Sequence, residues 1–446
     1  MKKVILLFIS LILPICFAGQ VYAKIVFSID VQKTMDKQTP DKKITKEKSQ
    51  SKMQLEIGDN YFSSDQNGVR HIFDFDHKRI FVMNLSGKLY FDDSLFSYVG
   101  FKAHEFQNRL AMSQALSKAG ITNNPMLPVF SEHLFSMRQK NEKSGLSQVL
   151  KNDSVYFYAA DKELFSYSKQ GEQVSPENKI MFVKFIRYVF GGHPQILGQL
   201  LSDNIIPGSI NIYLPDLSPR SVELKISPVK TTSQRAYSLK GYTPGVWNDE
   251  EDPFIRFLND IKYSKTINLE HHLAMLQTKA NEYYNSGDYL DAMLAYLEYN
   301  LASGLPFPPA FQEQKATIVK DEKVKELLTV LGDVSKENAK NDLVILQTLQ
   351  SSAKHYGHVI KITEADMQIK LGKHQEAKKL FYEALKASPH ITGAYKDLGD
   401  LYYSEYSDLM AWRCWDVARK IAPTHVMLIP INEFEAKLVK ECPEFF

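Results

Sequence analysis

The sequence predicts an α+β domain with a mainly antiparallel sheet, followed by an all-α domain of helical repeats. Two observations lead to this fold class. Between residues 53 and 247, short runs of β-branched and aromatic residues alternate with turn signals, as in antiparallel strands. After residue 253, apolar residues follow helical spacing, and small residues recur with a period of 34, which indicates stacked helix pairs. A length of 446 residues is enough for both domains.

The composition is that of a globular protein without excess positive charge. Hydrophobic residues make up 44% of the chain and charged residues 24%, and 54 Lys and Arg face 52 Asp and Glu. Binding to phosphate backbones relies on clustered positive charge. We therefore expect no nucleic-acid partner.

The N-terminus has the pattern of a cleavable signal peptide at residues 1–23. Lys2 and Lys3 precede an apolar run at residues 4–18, and Ala23 ends a small-residue cleavage site. An uncleaved anchor and lipidation at Cys16 are the alternatives. No second long apolar run follows, so we expect no transmembrane segment after signal removal. Export to a bacterial periplasm is the first expectation, and full secretion stays open.

Residues 24–52 are predicted to form a flexible linker because most of the segment is polar and rich in lysine. A basic patch for anionic lipid or glycan is the alternative. An acidic linker is predicted at residues 248–253, where four carboxylates precede Pro253. The spacing of these carboxylates is not that of a calcium loop.

The α+β domain is predicted at residues 53–247. Helices are expected at His104–Lys118 and Asn178–Phe190. Strands are expected at Val69–Phe75, Arg79–Met83, Lys88–Phe91, Val155–Tyr158, Leu164–Tyr167, Ile210–Leu214, Val222–Ile226 and Arg235–Leu239. The first three strands and the helix after them resemble the half-barrel sheets of periplasmic lipoprotein carriers. This resemblance contains no diagnostic motif and bears on the fold.

The helical domain is predicted at residues 254–446 from a repeated set of positions. Four positions recur 34 residues later: Ala377, Phe381, Ala384 and Pro389 become Ala411, Trp415, Ala418 and Pro423. Tyr395, Leu398, Gly399 and Tyr402 precede the second set. Together these positions resemble the tetratricopeptide repeat, in which small residues let two antiparallel helices approach closely. The resemblance implies a stack of helix pairs with a concave groove that binds a protein or an extended peptide.

An earlier copy begins near Leu273 and is out of phase with the later repeats. Residues 310–356 are therefore expected to contain irregular helices. A final helix with an apolar stripe from Ile431 to Val439 is expected to cap the stack, with Asn432 and Glu435 as its N-terminal capping pair.

The resemblance also implies which residues line the groove. These are the polar and aromatic residues of the first helix of each repeat: Gln277, Asn281, Tyr284, Asn285, Asp366, Lys370, Lys396, Asp400 and Tyr403. A solvated helix surface is the alternative interpretation. Because Asp400 stands where a positive charge would be needed, a partner's terminal carboxylate is disfavoured as the ligand.

The sequence contains no catalytic motif and no cofactor signature. His355 and His358 have the helical spacing of metal ligands, but Gly357 lies between them, and we expect no metal site. Cys414 and Cys442 could form a disulfide after export, or could be two independent buried thiols. The sequence thus favours a non-enzymatic, exported scaffold that binds a protein or peptide. The alternatives are a lipid or lipoprotein carrier that uses the sheet domain, and a cell-envelope hydrolase with the repeats as its platform. The sequence leaves the oligomeric state open.

Overall fold

The structure, a computed structural model, describes residues 24–38, 44–121, 126–138, 145–215, 219–232, 236–245, 253–332 and 335–446. The predicted signal peptide at residues 1–23 and residues 248–252 of the predicted acidic linker lie outside these ranges. The predicted fold class is confirmed. An N-terminal antiparallel sheet domain precedes a C-terminal region that consists of helices.

Twelve strands of the described chain form one sheet, in the order β14-β6-β5-β4-β3-β2-β1-β13-β12-β9-β8-β7, and β10 pairs with β11 separately. Neighbouring strands are antiparallel except β14, which runs parallel to β6. The strands are β1 (Lys24–Gln38), β2 (Ile44–Gly58), β3 (Tyr61–Gln66), β4 (Val69–Asp74), β5 (Arg79–Asn84), β6 (Leu89–Ser94), β7 (Leu146–Lys151), β8 (Ser154–Ala159), β9 (Lys162–Ser168), β10 (Gly171–Gln173), β11 (Ile205–Pro207), β12 (Ser209–Leu214), β13 (Arg220–Thr232) and β14 (Thr243–Pro244).

The prediction of a flexible linker at residues 24–52 is wrong for the described residues. β1 and β2 have 15 residues each, and β1 pairs with β2 on one side and β13 on the other. Phe27, Ile29 and Val31 alternate with polar residues and are buried, as in a strand with one face on the core. The hairpin of β1 and β2 is therefore part of the sheet, and its lysines lie on strands.

Four helices belong to the sheet domain: α1 (Leu95–Lys118), α2 (Met126–Phe135), α3 (Pro176–Val189) and α4 (Pro194–Leu201). α1 begins nine residues before the predicted start because the Ser94 hydroxyl accepts the Phe96 N–H and caps the helix. The expected strand at Arg235–Leu239 is wrong for its described part, because residues 236–242 form no strand. That segment instead packs Tyr237 and Leu239 on Ile72 and Phe81.

The C-terminal region contains α5 (Pro253–Tyr263), α6 (Leu269–Ser286), α7 (Tyr289–Ser303), α8 (Pro309–Ile318), α9 (Glu322–Gly332), α10 (Ala339–Ser352), α11 (Gly357–Lys370), α12 (His374–Ala387), α13 (Thr392–Ser404), α14 (Asp408–Ile421) and α15 (Ile429–Glu441). Short 3-10 turns lie at Val426–Leu428 and Pro443–Phe445. Among the helices described, none has the length and apolar character needed to span a membrane.

The helical region has a repeat-like organisation in its last two pairs. α12 begins at His374 and α14 at Asp408, 34 residues later. The small and aromatic residues that recur with this period are buried in one core: Ala377, Phe381, Ala384, Ala411, Trp415 and Ala418. The helices α13 and α14 are in close contact at Gly399, where an added Cβ would lie 2.3 Å from Trp415 Nε1.

Ion pairs and the C-terminal segment join the two regions. Arg79 of β5 lies 2.7 Å from Asp416 of α14, and Arg413 of α14 lies 2.8 Å from Asp93 of β6. Phe445 is fully buried in the core of the sheet domain. The helical region is therefore packed directly on the end of the sheet that contains β5 and β6.

Candidate partner-binding surface

Five charged residues of α11 and α13 form a group that we call the acid–base surface. Its members are Asp366, Lys370, Lys396, Asp397 and Asp400. Lys396 Nζ lies 2.7 Å from Asp400 Oδ2 and 3.5 Å from Asp397 Oδ1. Trp415 Nε1 donates to Asp400 Oδ1 at 3.2 Å, which fixes that carboxylate. Three carboxylates thus share two lysines.

Two of the three carboxylates of this surface, Asp366 and Asp397, are poorly solvated, whereas Asp400 is exposed. Burial raises the pKa of Asp366 to about 7, and the charge of Asp397 acts in the same direction. Burial also raises the pKa of Asp397 to about 6, although Lys396 opposes the shift. Desolvation disfavours an ionised carboxylate unless a cation or donor compensates. Lys370 and Lys396 compensate only in part, so a further cation would be favoured here.

Four of the nine predicted groove residues meet at the acid–base surface: Asp366, Lys370, Lys396 and Asp400. Their convergence follows from helix geometry, since residues four apart lie on one face. Asp397 was missed by sequence reasoning. It follows Lys396 directly in sequence, and only the packing of α13 beside α11 brings its charge near Asp366.

The four predicted residues of α6 have no hydrogen bond or ion pair to the acid–base surface. Asn281 Oδ1 accepts from Gln314 Nε2 at 2.7 Å and from the Tyr296 hydroxyl at 3.3 Å, so it ties α6 to α7 and α8. Tyr284 packs on Tyr289, with ring centroids 5.9 Å apart. Asn281 is half-buried, and these bonds occupy its amide oxygen. The remaining two residues, Gln277 and Asn285, lie on α6.

Tyr403 was also assigned to the groove, and the structure places it at the domain junction. Its ring stacks on His104 of α1 at 5.0 Å and meets Phe434 of α15 edge-on at 5.6 Å. These residues line a cavity of about 600 Å³ between the two regions. α1 and α15 cover this end of α13, which a repeat pattern alone does not predict.

A buried cluster around Glu298 was not predicted. Its carboxylate accepts from His272 Nε2 at 2.9 Å, His358 Nε2 at 2.6 Å and the Ser388 hydroxyl at 2.5 Å. Burial alone would raise the pKa of Glu298, but these hydrogen bonds lower it to about 2. The cluster joins α6, α7 and α11 to the turn after α12. Its members come from distant sequence positions, so no local signal could have found it.

Cys414 and Cys442 are not joined in a disulfide. Cys414 is fully buried in the core of the helical region, whereas Cys442 packs against the core of the sheet domain. Of the two alternatives, the structure therefore shows two independent thiols that pack against different cores.

The described residues contain no cluster of three His, Cys, Asp or Glu side chains suited to a metal ion. The chemistry that the acid–base surface offers is electrostatic recognition of a cationic group. No protein-family model matches the chain, and no curated protein is found to be similar to it.

Proposed function

We propose that this protein is an exported, non-enzymatic scaffold of the tetratricopeptide type that binds a protein or extended peptide. The acid–base surface is the binding surface, and the partner segment presents a lysine or arginine side chain to it. The match of α13 and α14 to the repeat pattern and the signal-like N-terminus support the scaffold and its periplasmic location.

One observation carries the proposal: burial raises the pKa of both Asp366 and Asp397, although the lysines beside them oppose the shift. Such a pair costs stability when ionised, and a cationic side chain from a partner would remove that cost. Arginine would add two parallel hydrogen bonds to a carboxylate, and lysine a single compact charge. Asp400, already held by Trp415 and Lys396, would orient the pair.

The test compares the mature protein with its Asp366→Asn/Asp397→Asn variant. Each is presented with two short peptide libraries that differ only in a fixed central residue, arginine or glutamate. We expect the wild type to prefer the arginine library at least tenfold, and the variant to lose most of this preference. A crosslinking pull-down from the organism's envelope fraction would then identify the partner.

The matched control is Asp260→Asn, which removes an exposed carboxylate from α5. It should leave the preference unchanged. Equal binding of both libraries by the wild type, or an unchanged preference in the double variant, would refute the proposal. A fractionation experiment that finds the protein in the cytoplasm would refute the exported location separately.

A further inference from the structure

Four buried side chains of the sheet domain, Lys102 of α1 and Lys184, Arg187 and Tyr188 of α3, form a site that we call the segment slot. Residues 443–446, which follow α15, lie in this slot. Three side chains on one face of α3 donate hydrogen bonds to three successive main-chain oxygens of the segment: Lys184 Nζ to Phe446 at 2.6 Å, Arg187 Nη1 to Glu444 at 2.7 Å and the Tyr188 hydroxyl to Phe445 at 2.8 Å. The slot therefore binds a backbone that comes from the helical region.

The segment slot also contains a pocket for one aromatic ring. Phe445 is fully buried there, and its ring meets that of Tyr188 edge-on, with centroids 5.3 Å apart. Lys102 Nζ and Arg187 Cζ lie 5.8 and 5.4 Å from the centroid of Phe445, within the range of cation–π contacts. Peptide-binding domains combine main-chain hydrogen bonds, which give affinity, with side-chain pockets, which give specificity. The segment slot has both parts of such a site.

The three cations of the slot indicate which charge a bound segment should carry. Burial lowers the pKa of Lys102 to about 7 and that of Lys184 to about 8, and it also lowers the pKa of Arg187. The negative charge of Glu444 opposes this shift at Arg187. An anion beside a buried cation favours its charged form. The slot therefore favours a segment with an acidic residue next to its phenylalanine.

The segment is held by few buried groups. Pro443 and Glu444 are exposed, and Phe446 is only partly buried, so Phe445 supplies the main apolar anchor. Glu444 and Phe445 also line the cavity of about 600 Å³ between the two regions, which leaves open space on one side of the segment. Segments with few buried contacts open locally at a lower free-energy cost than global unfolding. Such an opening would vacate the slot without unfolding either region.

We propose that the segment slot binds a segment of a partner protein in which an acidic residue precedes a phenylalanine, and that residues 443–446 occupy it as an internal competitor. The partner segment accepts the same three hydrogen bonds from α3 and places its own phenylalanine in the ring pocket. Because only the vacant slot can bind, residues 443–446 lower the apparent affinity for the partner. This site goes beyond the proposed binding at the acid–base surface and does not depend on it, since that surface selects cationic segments.

The test measures binding of a fluorescein-labelled peptide to the full chain by fluorescence anisotropy. The peptide has the sequence of residues 439–446, with serine in place of Cys442 to prevent disulfide exchange. In the Phe445→Ala variant the internal segment has lost its ring and leaves the pocket empty. We expect this variant to bind the peptide about tenfold more tightly than the wild type does, because its internal competitor is weakened.

Two altered peptides and one further substitution test the individual contacts. Peptides with alanine in place of Phe445, or with lysine in place of Glu444, should bind the Phe445→Ala variant about tenfold more weakly than the unaltered peptide. Adding Tyr188→Phe to this variant removes one donor and should weaken binding of the unaltered peptide about fivefold. Phe311→Ala, at a buried position of the helical region, is the control for general loosening and should bind the peptide as the wild type does.

Pro443→Gly keeps the test decisive if Phe445→Ala does not fold. At this exposed position glycine gives the opened segment more conformational freedom and leaves the ring pocket intact, so peptide binding should tighten about threefold. Equal affinity of the wild type and the folded segment variants for the peptide would overturn the proposal. So would undiminished binding of the peptide with alanine in place of Phe445, or an equal gain in affinity in Phe311→Ala.

Discussion

Asp366 is a residue whose ionised form opposes folding, because its carboxylate is buried. Its pKa rises from an ordinary 3.8 to about 7 in the folded state, chiefly through burial. The folded protein therefore holds this proton between pH 4 and pH 7, whereas the unfolded chain releases it. Stability is lost as pH rises through this window and stays low above it.

Asp366→Asn should consequently raise the melting temperature at pH 8 by a few degrees, and should change it little near pH 4. The free-energy gain at pH 8 is expected to be about 1–2 kcal/mol, because remaining solvent exposure reduces the full effect. Differential scanning fluorimetry at both pH values measures this directly.

Asp400→Asn is the contrasting variant at the same surface. Asp400 accepts from Trp415 and pairs with Lys396, so its replacement should lower the melting temperature at pH 8. A higher melting temperature for Asp366→Asn and a lower one for Asp400→Asn would show that the buried charge of Asp366 costs stability, whereas Asp400 stabilises the fold. A loss of stability at pH 8 in Asp366→Asn would contradict the assigned pKa shift.

At the scale of the elements, the contact between α13 and α14 depends on the absence of a side chain at Gly399. An added Cβ would lie 2.3 Å from Trp415 Nε1 and 3.1 Å from the Ala411 carbonyl oxygen. Because Trp415 is also held by hydrogen bonds to Asp400 and the Lys396 carbonyl, it cannot move away freely. Gly399, a small residue of the repeat pattern, therefore allows α13 and α14 to approach closely.

Gly399→Ala should therefore destabilise the protein by roughly 1–3 kcal/mol, the usual cost of overpacking a filled core. Gly198→Ala in α4 is the matched control, since nothing lies within 4 Å of the added Cβ. There the higher helix propensity of alanine should stabilise by up to about 1 kcal/mol. Chemical denaturation of both variants provides the comparison. An unchanged free energy of unfolding in Gly399→Ala would show that α13 and α14 are less tightly packed than the distances at Gly399 indicate.

The capping helix α15 shows the limit of local sequence signals. Asn432 and Glu435 were expected to cap its N-terminus, but the helix begins at Ile429. Both residues instead bind the preceding helix: each accepts from Arg419, and Glu435 also accepts from Trp412 Nε1 at 2.9 Å. The capping-pair prediction is therefore wrong, because the helix starts at Ile429 with a proline in its first turn, so that Asn432 and Glu435 lie inside it.

At the scale of the whole molecule, the sheet domain and the helical region are joined by charges that are largely buried. The side chains of Arg413 and Asp93 are 16% and 10% exposed, and their two hydrogen bonds link α14 to β6. Arg79 and Asp416 add a second link beside them. Breaking a buried pair leaves one charge uncompensated, which costs more than the pair contributes.

Arg413→Met should destabilise the protein by about 3 kcal/mol, and Arg413→Met/Asp93→Asn by less, because the double variant leaves no unpaired carboxylate. Hydrogen exchange should accelerate in α14 and β6 before it does in α8 to α10. The surface pair of Lys325 and Glu322 is the control, as its loss should cost under about 0.5 kcal/mol. If Arg413→Met/Asp93→Asn were as unstable as Arg413→Met, the unpaired Asp93 carboxylate would not be the cause of the loss.

Sequence alone determined the features that depend on neighbours in the chain. The hairpins from Val69 to Ser94, the helix pairs after residue 357 and the close contact at Gly399 follow from alternation, turn signals and the 34-residue period. The sequence also places Asp366 with Lys370 and Lys396 with Asp400, since positions four apart share a helix face.

Only the tertiary structure decided which segments and side chains meet across long distances. β1 forms a strand in spite of its lysines because β2 and β13 pair with both of its edges. Asn281 binds Gln314 of α8, and Tyr403 stacks on His104 of α1, and neither contact could be predicted from local sequence. Local pattern specifies an element and its faces, whereas burial, and hence the pKa and partner of each charge, depends on what packs against that face.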